Sequence, residues 1–570
     1  MDYKKNAEIW LNSAKVSEEE KAEIRAMDDL ALRDAFGSNA EFGTGGMRAK
    51  MGPGTNRLNR FTLGKANYAF ARFLLKTVPN CREKGVVISH DNRFYHDEFK
   101  KLCADIFNQL GIKAYVFDAL RPTPELSFAV RYLHAAGGVM ITASHNPKEY
   151  NGYKVYDDTG CQIVPDAIAP MLEDLASLPD PISLEMDSYP TKGETVVVGK
   201  EIDDPYVELV KKCQMNPDLD KKGFKVIYTP NHGASYETAI RVFSEVGYEI
   251  IPVVEQCNHD PAFGGTKSPN PEVAASWELP IEYMKRHNAD LAVMTDPDGD
   301  RCGLAYLSSK GTYERLTGNQ SGALLIDYLF SQRIAKGTMP EHPVMYDTIV
   351  TSSLGEDVAR SYGVAVESFL TGFKFIGERI AHYEKLGHGP TFVFGYEESY
   401  GCLIEPFARD KDGIQAILLY TEMALFYKRK GVALDEALEA LQAKHGYHYS
   451  TLFDTYFEGA FGGEKMNKLM SDLRDHPLSS LAGIKVAEVR DYLLDVITDA
   501  NGKKTKIEGL PPSNVLKYVL EDGSTYAVRP SGTEPKIKFY VETMGKSNEG
   551  LAEKAAAMDA DFRKQVGIAA

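Results

Sequence analysis

Three aspartates at alternate positions form the sharpest chemical signal in this chain of 570 residues. Asp296, Asp298 and Asp300 follow a hydrophobic run in the sequence LAVMTDPDGDR (291–301). In an extended loop, alternate residues point the same way, so these carboxylates would repel one another unless a cation lay between them. Oxygen ligands of this kind suit Mg²⁺, which completes its shell with water or phosphate. The pattern therefore predicts a magnesium site, and Arg301 follows it directly, where it could contact a phosphate held by the metal.

Two other interpretations apply to the same aspartates. An EF-hand calcium loop needs Gly at its sixth position and Glu at its twelfth, where this chain has Arg301 and Leu307. A solvated acidic turn without a metal remains open.

A second polar loop places a serine just past a strand, in VMITASHNPKEYNGYK (139–154). Ser144 could be a nucleophile if it were activated. A hydrolase triad is disfavoured because the G-x-S-x-G elbow is absent. His145 is adjacent, but neighbours in an extended loop point apart, so we expect at most a supporting role for it. The alternative is a turn in which Ser and Asn make local hydrogen bonds.

Two further loops could bind a polar ligand. In TFVFGYEESYG (391–401), carboxylates at a strand end could accept hydrogen bonds from sugar hydroxyls, although a charged surface turn is the favoured local interpretation. In VRPSGTEPK (528–536), Arg529 and Lys536 flank a Ser-Gly-Thr turn, which is typical of an anion nest. A Walker A loop is excluded by the spacing, and a tight turn between strands is the alternative.

The Gly-rich stretch FGTGGMR (42–48) lacks the G-x-G-x-x-G spacing and does not follow a clear strand. It therefore gives little support to a nicotinamide enzyme. Arg48 at its end is a candidate phosphate or sugar contact, with a flexible turn as the alternative.

The elements that must position these loops follow one plan that occurs three times. Each copy is a β-branched run, an amphipathic helix, a Gly that fits a left-handed C-cap, and another apolar run. The copies begin at VVIS (86–89), KVIYTP (225–230) and PVMYDT (343–348). This order predicts three α/β domains with mostly parallel sheets, whose strand ends would carry the ligand-binding loops.

The C-terminal part differs. Two strand-like runs flank Asp522-Gly523, a hairpin signal, and a helix over 550–565 closes the chain, which predicts a smaller α+β domain. We place the four domains at 1–200, 201–315, 316–460 and 461–570. The segments 179–205 and 456–480 are candidate linkers.

Composition narrows the function classes. The formal net charge of −16 argues against a nucleic-acid partner, although a few cations in a cleft could still hold an anionic substrate. The seven Cys include no CxxC pair and favour reduced thiols in a cytosolic protein. No signal peptide or membrane-spanning run is found. We expect a cytoplasmic protein without a membrane partner, as a monomer or a dimer.

The order of the four loops, one in each predicted domain, resembles the α-D-phosphohexomutase superfamily over nearly the whole chain. TASHNP and DPDGDR are highly specific as a pair, and GxEES and RPSGTEPK follow in the order of that family. The resemblance implies a four-domain α/β architecture with three similar mixed α/β domains and a smaller C-terminal α+β domain.

The resemblance also implies a role for each motif. Ser144 would be the phosphorylated serine, and a phosphate oxygen on it would join the three aspartates as a ligand of Mg²⁺. Lys154 matches a proposed general acid/base, with Arg48 assisting. The substrate contacts that it implies are Arg301, Thr371, Gly372, Lys374, Glu397, Ser399, Arg529, Ser531, Gly532, Thr533 and Lys536.

The reaction implied is the interconversion of glucose 1-phosphate and glucose 6-phosphate, with glucose 1,6-bisphosphate as intermediate and activator. LTGFKFIGERI (370–380) resembles the glucose-specific pattern, and Gly401 stands where many phosphomannomutases have a His. Mannose phosphate and pentose phosphate remain alternatives. A phosphosugar-binding protein without turnover and a magnesium-dependent phosphatase are the hypotheses from other classes.

Overall fold

The computed structural model describes residues 2–43, 46–457, 462–531 and 536–568. Four β-sheets follow one another along this part of the chain. Three short helices precede the first sheet and pack around the buried Trp10: α1 (Tyr3–Asn12), α2 (Glu18–Ala26) and α3 (Asp29–Phe36). No helix in the described part of the chain combines the length and apolarity that a membrane span requires.

The first sheet has seven strands in the order β1-β2-β6-β5-β3-β4-β7. Its strands β3, β4, β5 and β7 are parallel, and β6 runs antiparallel beside β5. Its elements are β1 (Phe42–Gly43), β2 (Gly46–Lys50), α4 (Arg60–Thr77), α5 (Cys81–Lys84), β3 (Val86–His90), α6 (His96–Gln109), β4 (Ala114–Phe117), α7 (Thr123–Tyr132), β5 (Gly137–Ile141), β6 (Tyr150–Tyr156), α8 (Pro165–Ser177) and β7 (Thr195–Val198).

The second sheet has five strands in the order β12-β11-β10-β8-β9, with β8, β9 and β10 parallel. Two 3₁₀ turns, Val254–Gln256 and Ala274–Trp277, lie in the long connection after β9. The elements are α9 (Lys200–Lys211), β8 (Lys225–Thr229), α10 (Tyr236–Val246), β9 (Glu249–Pro252), α11 (Glu278–His287), β10 (Leu291–Thr295), β11 (Cys302–Leu307) and β12 (Tyr313–Arg315).

The third sheet has four strands in the order β14-β13-β15-β16. Helix α15 is buried along almost its whole length, because it packs between the second and third sheets. The elements are α12 (Gly318–Ala335), β13 (Pro343–Thr348), α13 (Ser353–Ser361), β14 (Ala365–Phe369), α14 (Lys374–Leu386), β15 (Thr391–Glu397), β16 (Gly401–Leu403), α15 (Gly413–Arg429) and α16 (Leu434–His445).

The C-terminal sheet is antiparallel and runs in the order β17-β24-β23-β22-β19-β20-β21, with β18 beside β19. Helix α18 packs on β24 and β17. The elements are β17 (Tyr447–Tyr456), α17 (Gly462–Asp475), β18 (Ser480–Leu481), β19 (Ile484–Asp491), β20 (Val496–Asp499), β21 (Lys504–Lys506), β22 (Leu516–Leu520), β23 (Thr525–Pro530), β24 (Lys536–Gly545) and α18 (Leu551–Val566).

The threefold plan predicted from the sequence is confirmed. Each copy is a strand, a helix and a parallel strand: β3-α6-β4, β8-α10-β9 and β13-α13-β14. The glycines that follow the three helices, Gly111, Gly247 and Gly363, have φ of 77°, 84° and 75°. A residue with a Cβ is strained in this left-handed region, which explains why Gly ends each helix. The predicted hairpin at Asp522-Gly523 joins β22 to β23.

Both predicted linkers instead contain regular structure. The segment 179–205 includes β7, which pairs with β4 at the edge of the first sheet. In the segment 456–480, α17 contributes Leu469, Met470 and Leu473 to the core of the C-terminal sheet. Strand β17 pairs with β24 along its whole length, so this sheet begins before residue 461, where we placed the fourth domain. The strand β7 is a short Thr-Val-Val-Val run at the end of a segment rich in Pro and acidic residues, and that surrounding composition led us to interpret the segment as a linker.

The hydrophobic cores show how the four sheets are joined. One large apolar cluster contains residues of the first three sheets, including Val87, Tyr228 and Met345. The C-terminal sheet has a core of its own. A small cluster of Ile349, Leu370, Tyr492 and Val515 lies where the third and fourth sheets meet.

Candidate active site

Ser144 lies in a tightly held turn after β5. Its backbone is left-handed, with φ of 52°, and its N–H donates to Thr142 Oγ1 at 2.7 Å. The buried Arg93 donates to the carbonyl oxygens of Ser144 at 2.6 Å and Asn146 at 2.8 Å. Ser144 is 1% exposed, and its Oγ donates to Asp296 Oδ2 at 2.8 Å. The turn therefore aims the hydroxyl at the carboxylates of the second sheet.

The three predicted metal-ligating aspartates do come together. Asp296, Asp298 and Asp300 are all buried, and one carboxylate oxygen of each lies within 4.8 Å of the others. Our reason for expecting this was wrong, because the loop is a turn rather than an extended segment. Gly299 has φ of 71°, and its N–H donates to the carbonyl of Asp296 at 3.0 Å. The turn curls the carboxylates around one point.

Lys154 on β6 reaches this cluster from the first sheet. Its Nζ lies 2.7 Å from Asp298 Oδ2 and 3.2 Å from Asp300 Oδ2. Thr123 at the start of α7 also donates to Asp298 Oδ2, at 3.1 Å. The predicted serine, lysine and aspartates therefore form one site across the first two sheets.

The charges in this cluster shift the pKa of each group. Burial and the neighbouring charges of Asp298 and Asp300 raise the pKa of Asp296 well above its ordinary value. Burial acts the same way on Asp300, but Lys154 and Lys411 outweigh it and lower the pKa. Burial would lower the pKa of Lys154, but its two aspartate partners raise it, so this side chain is an ammonium here.

The donor set fits a hard divalent cation. The Oδ1 atoms of Asp298 and Asp300 are buried and have no hydrogen-bond partner among the described residues. Unpartnered buried carboxylate oxygens are costly unless a cation or water satisfies them. Three carboxylates with only oxygen donors suit Mg²⁺ better than a transition metal.

His145 lies closer to the serine than we predicted. Its Nδ1 is 3.2 Å from Ser144 Oγ. Neighbouring side chains point apart in an extended chain, but the left-handed conformation of Ser144 turns the two side chains to one side. Burial, with the charges of Arg301 and Arg48, lowers the pKa of His145 well below its ordinary value, so the imidazole is neutral.

Two arginines add positive charge beside the three aspartates. Arg48 on β2 is close enough to Asp298 for that charge to raise its pKa, against the larger lowering by burial, and its Nε is buried without a partner among the described residues. Arg301 donates its backbone N–H to Asp296 Oδ1 at 3.0 Å, and its side-chain Nε lies 4.0 Å from Asp300 Oδ1 while its Nη1 pairs with Glu272 at 2.6 Å. Both guanidiniums therefore lie beside the carboxylates.

The predicted sugar-binding loop lies at the end of β15 and close to the aspartate cluster. Glu397 Oε1 accepts a hydrogen bond from the N–H of Gly372 at 2.8 Å, which joins two of the predicted substrate contacts. Lys411 Nζ lies 3.8 Å from Glu397 and 3.3 Å from Asp300, so it connects this loop to the aspartates. Ser399 lies two residues further along and is partly buried.

Thr371 and Lys374 precede and begin α14 at the mouth of this loop. Thr371 Oγ1 is buried and has no hydrogen-bond partner in the described ranges. Burial, with a further contribution from the charge of Arg529, lowers the pKa of Lys374 to about 8. Lys374 and Arg529 therefore lie near each other across the third and fourth sheets.

The predicted anion loop is described only in part. Arg529 on β23 donates to Tyr540 Oη at 3.3 Å, and the N–H of Ser531 donates to the carbonyl of Lys536 at 2.7 Å. Gly532 and Thr533 lie outside the described residues. Lys536 Nζ pairs with Asp454 at 2.5 Å and lies over the ring of Tyr456, so it must exchange these partners to contact a ligand.

The structure adds residues to the site that our sequence reasoning missed. Lys411 could have been found, because ARDKDG (408–413) contains four consecutive charged residues, all of which the structure buries. Glu272, the partner of Arg301, lies in the irregular connection before α11 and gave no signal. Lys538 completes the additions, and burial lowers its pKa. Glu398, one of the carboxylates of the predicted sugar-binding loop, also lies here, and burial with the charge of Glu397 raises its pKa to about 7.

Known proteins resemble this chain over nearly its full length. The four family models of phosphoglucomutase/phosphomannomutase match it in order: the alpha/beta/alpha domains I, II and III at residues 39–177, 204–308 and 317–445, and the C-terminal domain at 480–560. A phosphoglucomutase of Staphylococcus aureus (strain bovine RF122 / ET3-1) is 36% identical over 555 residues, which are 97% of this chain and 98% of the relative.

Two solved structures share the fold. A phosphoglucomutase/phosphomannomutase family protein from Burkholderia thailandensis superposes with a TM-score of 0.66 at 19% identity, covering 92% of this chain and 97% of that one. The open form of parafusin, a phosphoglucomutase from Paramecium, has a TM-score of 0.64 at 19% identity, with coverages of 93% and 94%.

Proposed function

The chain belongs to the phosphoglucomutase/phosphomannomutase family, and we propose that it interconverts glucose 1-phosphate and glucose 6-phosphate through a phosphate carried on Ser144. The observation that carries this proposal is the hydrogen bond of 2.8 Å from Ser144 Oγ to Asp296, inside a buried cluster of three aspartates. A phosphate on this hydroxyl would add oxygen ligands where two carboxylate oxygens have no partner.

We propose that Asp296, Asp298, Asp300 and an oxygen of the phosphorylated Ser144 hold Mg²⁺. When bound, the ion would neutralise charge on the phosphoryl group during transfer. Glucose 1,6-bisphosphate is then the intermediate, and as an activator it would restore the phosphate on Ser144.

The side chains of this protein supply the rest of the reaction. In the first half, the bond from phosphorus to Ser144 Oγ breaks as a bond to the free sugar hydroxyl forms. The sugar hydroxyl gives its proton to a base and Oγ takes a proton from an acid, so Oγ can again donate its hydrogen bond to Asp296. In the second half, the other phosphate of the bisphosphate returns to Oγ. Arg48 and Arg301 would offset the charge of the moving group, because both guanidiniums lie beside the aspartates.

Different side chains would carry out proton transfer and substrate binding. Lys154 enters as an ammonium held by two aspartates, so in this arrangement it can give a proton and cannot take one. His145, at 3.2 Å from Ser144 Oγ, is the neutral base nearest the reacting atom among the groups that we predicted. Glu397 and Ser399 would bind sugar hydroxyls, and Arg529 with its loop would hold the phosphate that does not react.

Glucose phosphate is the preferred substrate because relatives that are 36% identical to this chain over more than 90% of its length are named phosphoglucomutases. A cytoplasmic location, a phosphosugar as the small-molecule partner, and a monomer or dimer stay predictions.

The test is a kinetic comparison of glucose, mannose and ribose 1-phosphates with glucose 1,6-bisphosphate and Mg²⁺ present. We expect kcat/KM for glucose 1-phosphate to exceed the others by about tenfold or more, which corresponds to roughly 1.4 kcal/mol of discrimination. A higher value for mannose or ribose phosphate would reassign the sugar. Binding without turnover of any substrate would show a phosphosugar-binding protein.

A further inference from the structure

A buried carboxylate of the C-terminal sheet accepts hydrogen bonds from a loop of the third sheet. Glu542 on β24 is 6% exposed and contacts the junction loop, residues 348–353, which connects the end of β13 to the start of α13. It accepts hydrogen bonds from Ser352 Oγ at 2.5 Å, Ser353 Oγ at 3.1 Å and Ser353 N at 3.1 Å. His448 Nδ1 on β17 lies 3.1 Å from the same carboxylate. Glu542 therefore contacts the neighbouring strand β17 of its own sheet and also the junction loop of the third sheet.

This contact is electrostatically matched. Burial alone would raise the pKa of Glu542, but the hydrogen bond and charge of His448, the hydroxyl of Ser352 and the charge of Lys517 lower it below its ordinary value. The carboxylate is therefore ionised at the N-terminus of α13, where free N–H groups and the helix dipole favour a negative charge.

A second charged side chain of the C-terminal sheet holds the same loop. Lys517 on β22 donates to the carbonyl oxygen of Ile349 at 2.9 Å. The side chain of Ile349 packs in the small apolar cluster with Tyr492 and Val515. The junction loop is therefore fixed to the C-terminal sheet by an anion, a cation and an apolar contact.

The opposite side of the junction loop touches the sugar-binding loop. Thr348 Oγ1 donates to Glu398 Oε2 at 3.2 Å, and Thr351 Oγ1 lies 3.4 Å from the same oxygen. Glu398 stands between Glu397 and Ser399, the predicted contacts of the sugar hydroxyls. One loop thus connects Glu542 to the residues that would recognise the sugar.

We infer that Glu542 is a positioning residue, which through the junction loop couples the phosphate-holding C-terminal sheet to the sugar-binding loop. Arg529 lies on β23 of the C-terminal sheet, so its distance from Glu397 depends on how that sheet is fixed to the third one. Glu542 touches neither the aspartates nor Ser144, so its loss affects substrate binding and leaves phosphoryl transfer nearly intact. This inference rests on the proposed function for its kinetic consequence but not for its structural one.

The test uses Glu542→Gln, which keeps the shape of the side chain and removes its charge. Loss of hydrogen bonds to a charged group predicts an increase in KM for glucose 1-phosphate of about tenfold or more, with kcat changed less than about threefold. Hydrogen–deuterium exchange of the protein without substrate should quicken in residues 348–361 and also in 391–403, which contains the sugar-binding loop.

The matched control is Asp559→Asn. Asp559 is also buried in the C-terminal domain, where Tyr526 and Arg563 bind it, and neither partner lies in the third sheet. This variant should quicken exchange within the C-terminal domain and leave 391–403 at the wild-type rate. If both variants raise KM equally, or if exchange in 391–403 does not respond to Glu542→Gln, the coupling is wrong.

A milder variant keeps the test decisive if Glu542→Gln does not fold. Ser353→Ala removes one hydroxyl donor and keeps the backbone N–H that also binds Glu542. It should produce a smaller change of the same kind, and wild-type exchange in 391–403 would refute the inference. Because exchange is measured without substrate, a quickened 391–403 in a protein inactive on every sugar phosphate would overturn the proposed function and not this coupling.

Discussion

Replacement of Asp298 by Asn tests the charge arrangement of the site. Asp298 is fully buried, and its Oδ2 binds Lys154 at 2.7 Å while its Oδ1 has no hydrogen-bond partner among the described residues. Asn has the same shape but no charge. The change therefore removes one proposed cation ligand and the charge that Lys154 pairs with, without creating a cavity.

The structure gives the size of the expected effect on stability. At an effective dielectric constant of 20, loss of the attraction to Lys154 at 2.7 Å costs roughly 6 kcal/mol, and relief of the repulsion from Asp300 within 4.8 Å returns roughly 3–4 kcal/mol. Asp296 adds little to this balance, because its raised pKa keeps it protonated without a cation. We expect the metal-free variant to be destabilised by about 2–3 kcal/mol.

The effect on metal binding and activity should be larger. A ligand at one hundred times its Kd stabilises a folded protein by about 2.7 kcal/mol, so Mg²⁺ should raise the Tm of the wild type. The Asp298→Asn protein should lose most of this response. Its kcat should fall by about 10²–10³, which is typical when one electrostatic contact to a developing charge is removed.

The assay is thermal unfolding with EDTA and with increasing Mg²⁺, together with kcat in the same buffers. Asp491→Asn is the control, since Asp491 is a buried carboxylate paired with Arg474 in the C-terminal domain. The control should lose stability and keep its response to Mg²⁺. If Asp298→Asn showed a wild-type Mg²⁺ response in both Tm and kcat, the assignment of the metal site would be refuted.

Three further changes test other parts of the site. Lys536→Ala should raise KM for glucose 1-phosphate by about tenfold with little change in kcat, because the residue would bind the phosphate that does not react; a pure kcat effect contradicts this. The pKa of Lys374 is about 8, so the side chain loses its positive charge as pH rises through 8. KM measured from pH 7 to 9 should rise in the wild type and stay level in Lys374→Gln; equal profiles contradict a role for this charge. The pKa of Glu398 is raised to about 7, so its protonated form stabilises the folded protein at low pH. This contribution to folding stability is lost as the pH rises through 7 and the carboxyl group ionises. Glu398→Gln should thus be more stable than the wild type at pH 8, by roughly 1–3 kcal/mol, and about equal at pH 4, and urea unfolding at both pH values checks this. A variant less stable at pH 8 would show that the carboxylate is not under strain.

Much of the fold could be predicted from the sequence because local signals repeat. Each of three apolar runs precedes a helix that ends at a Gly: 86–89, 225–230 and 343–348. These strand, helix and Gly signals can be recognised in a single sequence. The edge strands β7 and β17 could not be predicted. Strand β7 has only four residues and follows a Pro-rich and acidic stretch, and β17 mixes polar and apolar residues, so the partner strand in space, β4 or β24, defines them.

The site was predictable where its motifs are compact. The three aspartates share the loop after the buried strand β10, and Ser144 lies in the loop after the buried strand β5. The structure brings these two loops together. The geometry within each loop was harder to predict. Left-handed conformations at Gly299 and Ser144 convert extended segments into turns, and this curls the aspartates together and brings His145 to the serine.

Residues that act through a distant partner gave no local signal. Glu272 is separated from Arg301 by the whole of α11 and β10, and Glu542 from Ser353 by most of the C-terminal sheet. Such pairs depend on how sheets pack against one another, which a single sequence does not encode in any window of neighbouring residues.

The most direct test of the central claim is the location of the phosphate. The purified protein is incubated with glucose 1,6-bisphosphate and Mg²⁺, and the phosphorylated residue is located by mass spectrometry of peptides. We predict one phosphate on Ser144 in the wild type, its transfer to glucose 1-phosphate once free bisphosphate has been removed, and no phosphate or turnover in a folded Ser144→Ala protein. Phosphate on another residue, or near-wild-type turnover by Ser144→Ala, would contradict the account.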